Sequence, residues 1–191
     1  MYRMRYKEHV KPTYASRSHG SAKFPGWRYR RHDVQDKPEA ITAPVAPGST
    51  ATDALWDPCL IGEDAWRQIG VEPPTLSSDI GGIDRIDGFR RCGGRDQPRT
   101  YSIDVWSQVY TVDDFIRKEA GAEFVSVTVT GRLGLRYSPV SDRSGDRCNL
   151  VFDSILGSFS IAVLRLDPRS HVAPHLRAIE VANVVVPLLP C

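Results

Sequence analysis

A strict alternation of apolar and other residues, running from Thr100 to Tyr110, is the clearest pattern in the chain. One face carries Tyr101, Ile103, Val105, Ser107 and Val109, and polar or larger residues occupy the other. Because successive side chains of a strand point to opposite faces, this alternation predicts a half-buried β-strand.

Further strands are predicted on both sides of it. Residues 88–92 lead into a strand or its edge, and residues 124–130 form a strongly β-branched strand that Leu133 and Leu135 continue. Cys148 opens a hairpin, in which residues 153–157 turn the chain and residues 159–166 return it. The loop before the first strand covers residues 71–88.

Helical periodicity predicts three helices. The first covers about residues 62–69, where Ile61, Ala65 and Ile69 recur at four-residue spacing. The second is short: Thr111 and Asp114 form a variant capping box, and the helix ends near Gly121. The last covers about residues 173–186, with Leu176, Ile179, Asn183 and Val186 roughly on one face. The sequence therefore predicts an α+β fold, a single mostly antiparallel sheet of about five strands with two or three helices packed on one face.

Composition divides the chain into three parts. Residues 1–36 are a basic, aromatic arm without apolar periodicity, residues 37–56 have the Pro/Thr/Ala composition of a linker, and residues 57–191 form the domain. Residues 1–32 carry nine lysines and arginines against one acid, a formal charge of +8, so the remainder carries −6 of the total of +2. The arm is interpreted either as a contact for nucleic acid or anionic lipid, or as a solvated tail or a non-native extension.

Four cysteines, Cys59, Cys92, Cys148 and Cys191, are separated by 33, 56 and 43 residues. None forms the close pair that usually supplies metal ligands, although a zinc site assembled by the fold, or four free thiols, would also be compatible with the spacing. An even number of widely spaced cysteines favours two disulfides. Of the three possible connectivities we favour Cys59–Cys92 and Cys148–Cys191, which join neighbouring elements without crossing, and hence an oxidising compartment.

No residue pattern indicates catalysis, a cofactor or a metal. His171 and His175 lack the glutamate of a zinc-protease motif and fit the exposed start of a helix. Ser78-Asp79 lacks the frame of a nucleophile elbow, and Gly93-Gly94 is too short for a phosphate loop. Adjacent Asp113 and Asp114 fit a helix N-terminus. The expectation is a protein that is not an enzyme, with no apolar run long enough to span a bilayer and no recognisable signal peptide.

The order of short motifs in residues 57–191 resembles the DUF3558 family, actinobacterial envelope proteins of unknown function that are mostly lipoproteins of mycobacteria and their relatives. The motifs that carry the resemblance are Asp57-Pro58-Cys59-Leu60, a helix ending at Ile69-Gly70, Arg90-Arg91-Cys92, residues 102–110, residues 112–119, Gly131-Arg132-Leu133-Gly134, residues 148–161 and Leu189-Pro190. The chain departs from the family at Gly93, where an aromatic residue is usual, and at residues 169–171, where the fourth cysteine usually lies. No lipobox cysteine precedes the linker.

The resemblance implies a lipid-anchored, surface-exposed domain with disulfides and no established enzymatic activity. We therefore expect a non-catalytic protein of the cell envelope, extracytoplasmic and peripheral to the membrane. It would bind a small apolar or lipid ligand, or accompany a membrane protein complex. The alternative is a protein that binds nucleic acid or an anionic surface through residues 1–32, with a membrane surface favoured over nucleic acid.

The alternative makes a direct prediction. Deleting residues 1–32 should abolish salt-dependent binding to anionic vesicles or to DNA, because eight net positive charges are lost. Cosedimentation at low and high salt measures this. Equal binding by the shortened chain would exclude the arm as the contact.

Overall fold

The chain from residue 51 onwards forms one antiparallel sheet with short helices packed on it. The structure, a computed structural model, describes residues 51–191. The predictions for the arm at residues 1–36 and for residues 37–50 of the linker lie outside this part of the chain.

Six strands pair in the order β1-β2-β6-β5-β4-β3, every neighbouring pair antiparallel. The strands are β1 (Phe89–Arg95), β2 (Tyr101–Gln108), β3 (Val125–Val129), β4 (Arg132–Tyr137), β5 (Arg147–Ser154) and β6 (Gly157–Arg165). The α+β prediction is confirmed, with six strands in place of about five.

The additional strand comes from a tight turn within a segment predicted to be continuous. Thr130 and Gly131 both have positive φ, 47° and 85°, and reverse the chain between β3 and β4. Two central residues with positive φ are typical of the two-residue turns that match the twist of paired strands. Threonine rarely adopts this conformation, so only Gly131 signals the turn in the sequence.

Four α-helices accompany the sheet: α1 (Ala51–Ala54), α2 (Glu63–Gln68), α3 (Val112–Lys118) and α4 (Pro174–Val185). Single 3-10 turns cover Pro58–Leu60, Pro73–Thr75 and Val186–Leu188. Among residues 51–191, no helix has both the length and the apolar character that crossing a membrane requires.

The core lies between one face of the sheet and α4. We call this face the core face; it carries the fully buried Ile103, Val105, Leu150, Ile161 and Val163. The helix meets it through Ala178, Val181, Ala182 and Val185. Of the residues predicted to share one face of this helix, Val186 is buried and Ile179 packs against the core, whereas Leu176 is 55% exposed and Asn183 is also exposed. Ala178 and Ala182 have small side chains, which allow the helix to lie close to the strands. The size of these side chains therefore decides which face of α4 is buried.

Helix α3 lies on the opposite face, which we call the cleft face. Its Phe115 ring contacts the Tyr137 ring at 6.2 Å, and Tyr137 pairs with Asn149 on the side of the sheet away from α4. The sequence predicted two or three helices on one face of the sheet, and the structure places α3 on the other face. The predicted capping box is present, since Thr111 and Asp114 each accept a hydrogen bond from the other's backbone N–H.

The domain begins before residue 57. Thr52 is buried, and its hydroxyl donates to Asp87 Oδ1 and accepts from the Gly88 N–H, both at 2.6 Å. The Trp56 ring meets the Phe159 ring edge to face at 5.7 Å. The last residues assigned to the linker by composition thus belong to the folded unit.

One of the two expected disulfides is present. Cys59 and Cys92 are joined, with Cα atoms 5.0 Å apart, which confirms that pairing. Closing a loop of 33 residues contributes on the order of 3–4 kcal/mol by the chain-entropy estimate. The crosslink ties the start of the domain to the edge strand β1.

The second expected pairing, Cys148–Cys191, is absent. Both are free thiols, Cys148 buried and Cys191 exposed. Arg132 donates to the carbonyls of Pro190 and Asp153, which places the C-terminus near the end of β5 that is remote from Cys148. Asp153 and Cys148 are five residues apart on β5, a separation of roughly 16 Å. The Cα atoms of disulfide-bonded cysteines lie within about 7 Å of each other.

The thiols should therefore differ in reactivity. Burial raises the pKa of Cys148 to about 11, so at pH 8 only about one molecule in a thousand carries the thiolate. We expect iodoacetamide to label Cys191 alone in the native protein, two cysteines in denaturant and four after reduction. Mass spectrometry counts the labels. A native protein without a reactive thiol would contradict this assignment.

Candidate functional site

A cleft of about 830 Å³ opens on the cleft face of the sheet, beneath α3. Strands β1, β2, β5 and β6 supply its floor, and α3 with the 139–141 loop supplies its wall. Its lining residues include Phe89, Asp104, Trp106, Gln108, Tyr110, Phe115, Lys118, Tyr137, Arg147, Asn149, Ser160 and Ala162. This volume falls within the range usual for small-molecule sites.

Small side chains at the centre of the sheet make room for the cleft. On β6, Ser160 and Ala162 face the cleft and pair with Trp106 and Asp104 of β2. On the other side of the same strand, Ile161 and Val163 are fully buried in the core. The alternation of large and small residues along β6 therefore fills one face and leaves the other open.

Three aromatic rings form one end of the cleft. Phe89 meets Trp106 edge to face at a centroid distance of 6.3 Å, and Tyr110 at 5.1 Å. Tyr110 is 45% exposed, and its ring borders the opening where α3 begins. Rings arranged in this way offer an apolar surface for a flat or aliphatic group.

Neutral polar groups also line the cleft. The Gln108 side-chain amide donates to the hydroxyls of Ser158 and Ser160 at 3.2 and 3.1 Å. Burial raises the pKa of Tyr137 to about 12, outweighing its hydrogen bond with Asn149, so its phenol stays protonated at neutral pH. These groups can orient a ligand by hydrogen bonding, but they do not exchange protons readily at neutral pH.

A half-buried ion pair forms one rim. The Arg91 guanidinium contacts Asp104 Oδ1 at 2.5 Å, with the two side chains 16% and 21% exposed. The same guanidinium donates to the carbonyls of Ser77 and Asp79 at 3.1 and 2.7 Å. Burial raises the pKa of the Asp104 carboxyl above its ordinary value, while the charges of Arg91 and Arg147 act in the opposite direction. A carboxyl of raised pKa in a cleft is a common feature of functional sites, and also of structural ion pairs.

Gly93 provides the space for this ion pair. It lies opposite Asp104 in the β1–β2 register, and a Cβ at this position would lie 2.0 Å from Asp104 Oδ1 and 2.7 Å from the Ile103 carbonyl. The Asp104 carboxylate therefore occupies the volume that any side chain at position 93 would need. Beyond the pair lies a second, shallower cleft of about 520 Å³, which shares Asp104, Trp106 and Leu164 with the first.

The sequence motifs weighed for chemistry lie elsewhere or serve the fold. His171 and His175 are exposed at the start of α4. The Ser78-Asp79 and Gly93-Gly94 segments border the second cleft or β1, and Asp114 caps α3. Within residues 51–191, no group of three or more histidine, cysteine or acidic side chains is placed to hold a metal ion.

The lining residues were not singled out from the sequence, although a signal for them exists. Asp104, Trp106 and Gln108 occupy alternate positions of β2, on the face opposite the apolar set. A tryptophan flanked by polar residues on the nominally exposed face of a central strand indicates partial burial there. The sequence pattern does not indicate, however, that α3 lies over these residues, because that position depends on how the strands are ordered in the sheet.

Comparison of the chain with protein-family models, curated proteins and solved structures found no match. The resemblance to DUF3558 therefore stays a prediction, and the cleft is interpreted from its own residues.

Gly93→Ala tests the packing around the ion pair. The added methyl must displace Asp104 or shift β1, so we expect a loss of about 1–3 kcal/mol in the free energy of unfolding. Denaturant titration measures it. Gly62→Ala is the control for the added methyl, because a Cβ there meets nothing within 4 Å; since Gly62 is the N-cap of α2, we expect it to lose less than about 1 kcal/mol. Equal stability of the two variants would contradict a tight fit at Gly93.

Proposed function

We propose that this chain is a non-catalytic binding domain of the cell envelope that holds a small ligand in the cleft beneath α3. The observation that carries the proposal is the open central floor of the cleft face, where small residues of β6 lie between aromatic and polar walls. The cleft lies between the sheet and α3, and its lining combines apolar and polar groups.

The extracytoplasmic part of the proposal is supported by the Cys59–Cys92 disulfide. Such crosslinks persist in oxidising compartments and are rare in a reducing cytosol. Placement in the envelope in particular, attachment to the membrane and membership of DUF3558 are proposed from the sequence resemblance. A role as a partner of a membrane complex is the related possibility, in which the cleft would receive part of another protein.

The engagement of the acids in and around the cleft supports a binding role over a catalytic one. Asp104 is paired with Arg91, Asp114 accepts from Thr111 and is paired with Arg117, and Glu119 accepts from the Val140 N–H. A general acid or base must be able to reach a substrate proton. These carboxylates are held by the protein itself.

A neutral fluorescent probe tests whether the cleft binds ligands. N-phenyl-1-naphthylamine has an aromatic body that suits the rings at Phe89, Trp106 and Tyr110, and its emission rises in apolar surroundings. We expect saturable binding to the full chain. Ala162→Phe should reduce that binding at least tenfold, because the new ring occupies the floor of the cleft.

Thr128→Phe is the matched control. Thr128 is exposed on β3, on the same side of the sheet but outside the cleft lining, so this variant should bind the probe like the parent. Circular dichroism confirms that both variants are folded. Probe binding that is absent, or that Ala162→Phe leaves unchanged, would overturn the proposed function.

A further inference from the structure

We propose that the cleft selects an amphipathic anion, with its apolar body on the aromatic end and its anionic group between Arg147 and Lys118. This inference rests on the proposed function and names the class of ligand. It depends on which charged groups lining the cleft already have partners and on where those groups lie.

The two cations lining the cleft are left without bonded partners. Within residues 51–191, the Arg147 guanidinium and the Lys118 ammonium each make no hydrogen bond or ion pair, although the charge of Arg147 acts on Asp104. Both residues are exposed at the opening, so neither requires a partner for stability. The lining acids, by contrast, are all engaged by protein groups. Counting the arginines that pair with those acids, the cleft has four bases against three acids.

The two cations belong to the same end of the cleft. The Ser138 hydroxyl donates to the Arg147 carbonyl at 3.0 Å, and the Val140 N–H donates to Glu119 at 3.0 Å, next to Lys118. The short segment from residue 138 to residue 140 thus joins the start of β5 to the end of α3. Arg147 can contact a carboxylate or phosphate through two parallel N–H groups, and Lys118 adds a point charge.

The aromatic rings lie at the other end. Phe89 pairs with Gln108, at the end of β2 from which the chain passes through Tyr110 to the start of α3. Arg147 pairs with Leu164, towards the other end of β6. Helix α3 runs from the rings to Lys118. The cleft is therefore apolar at one end and cationic at the other, which is the pattern an amphipathic anion matches.

A cationic ligand fits this cleft poorly. Aromatic rings can hold a quaternary ammonium group, but the Arg91 guanidinium already lies 5.8 Å from the centre of the Trp106 ring. The carboxylate of Asp104 that would balance such a ligand is paired with the same arginine. An added cation would meet Arg91, Arg147 and Lys118, and among the lining acids only Glu119 has no cationic partner, its carboxylate accepting from the Val140 N–H.

Two probes that share an aromatic body separate charge from shape. N-phenyl-1-naphthylamine is neutral, and 1-anilinonaphthalene-8-sulfonate carries the same rings with an anionic group. Only binding that Ala162→Phe removes is counted, so that sulfonate bound to the basic N-terminal residues is subtracted. We expect the anionic probe to bind at least fivefold more tightly in the cleft, and Arg147→Gln to remove about fivefold of that affinity.

Further variants assign the effect to the two cations. Arg147→Gln with Lys118→Gln should remove the preference for the anion, so that the two probes bind in the cleft with equal affinity. Arg143→Gln removes the same charge from an exposed arginine four residues away and outside the lining, so it should change neither affinity. Equal effects of Arg143→Gln and Arg147→Gln would overturn the inference, because they would indicate overall charge.

Displacement of the anionic probe identifies the chemistry of the group. Competition by 2-naphthoate indicates a carboxylate ligand, and competition by 1-naphthyl phosphate indicates a phosphate ligand; either result supports the inference. Cleft binding of the neutral probe without preference for the anion, or preference for a trimethylammonium analogue, would overturn it and leave the proposed function standing. Loss of all cleft binding would overturn both.

Discussion

Pairing of β2 with β6 at the centre of the sheet is the constraint on which the rest of the structure depends. Side chains on these strands must serve two environments at once, because neighbouring residues point to opposite faces. Ile103 and Ile161 fill the core under α4, while Trp106 and Ser160 floor the cleft. A shift of one residue in this register would exchange the two sets, burying the polar side chains in the core and exposing the apolar ones.

The disulfide and the ion pair are coupled through β1. Cys92 points to the core face, where it is buried and bonded to Cys59, so its neighbours Arg91 and Gly93 point to the cleft face. A single edge strand therefore holds the start of the domain on one side and the rim of the cleft on the other. The carbonyls of Ser77 and Asp79 fix the arginine from the adjoining loop. The disulfide at Cys92 and the arginine of the ion pair thus lie on adjacent residues of one strand.

The sequence pattern predicted correctly those elements that are determined by interactions between residues close in the chain. The alternation in β2 and the capping box at Thr111 appear as expected, because each depends on residues close in sequence. The β3–β4 turn was missed because Thr130 adopts a conformation that threonine rarely shows. The Cys148–Cys191 pairing was wrong because spacing does not reveal which end of β5 the C-terminus reaches. The cleft was missed because it exists only where α3 crosses the sheet between β2 and the distant edge strand β3.

The division of the sheet into two faces also separates the residues that stabilise the fold from those of the proposed ligand site. Apolar burial against α4 needs no contribution from Arg147 or Lys118, which lie at the opening of the opposite face. Side chains that do not stabilise the fold can bind a ligand at little cost in folding free energy. Asp104 and Arg91, by contrast, form an ion pair with each other within the fold. Permanently charged groups left at an opening, above a floor of neutral donors and aromatic rings, suit the holding of a charged ligand better than the movement of its protons.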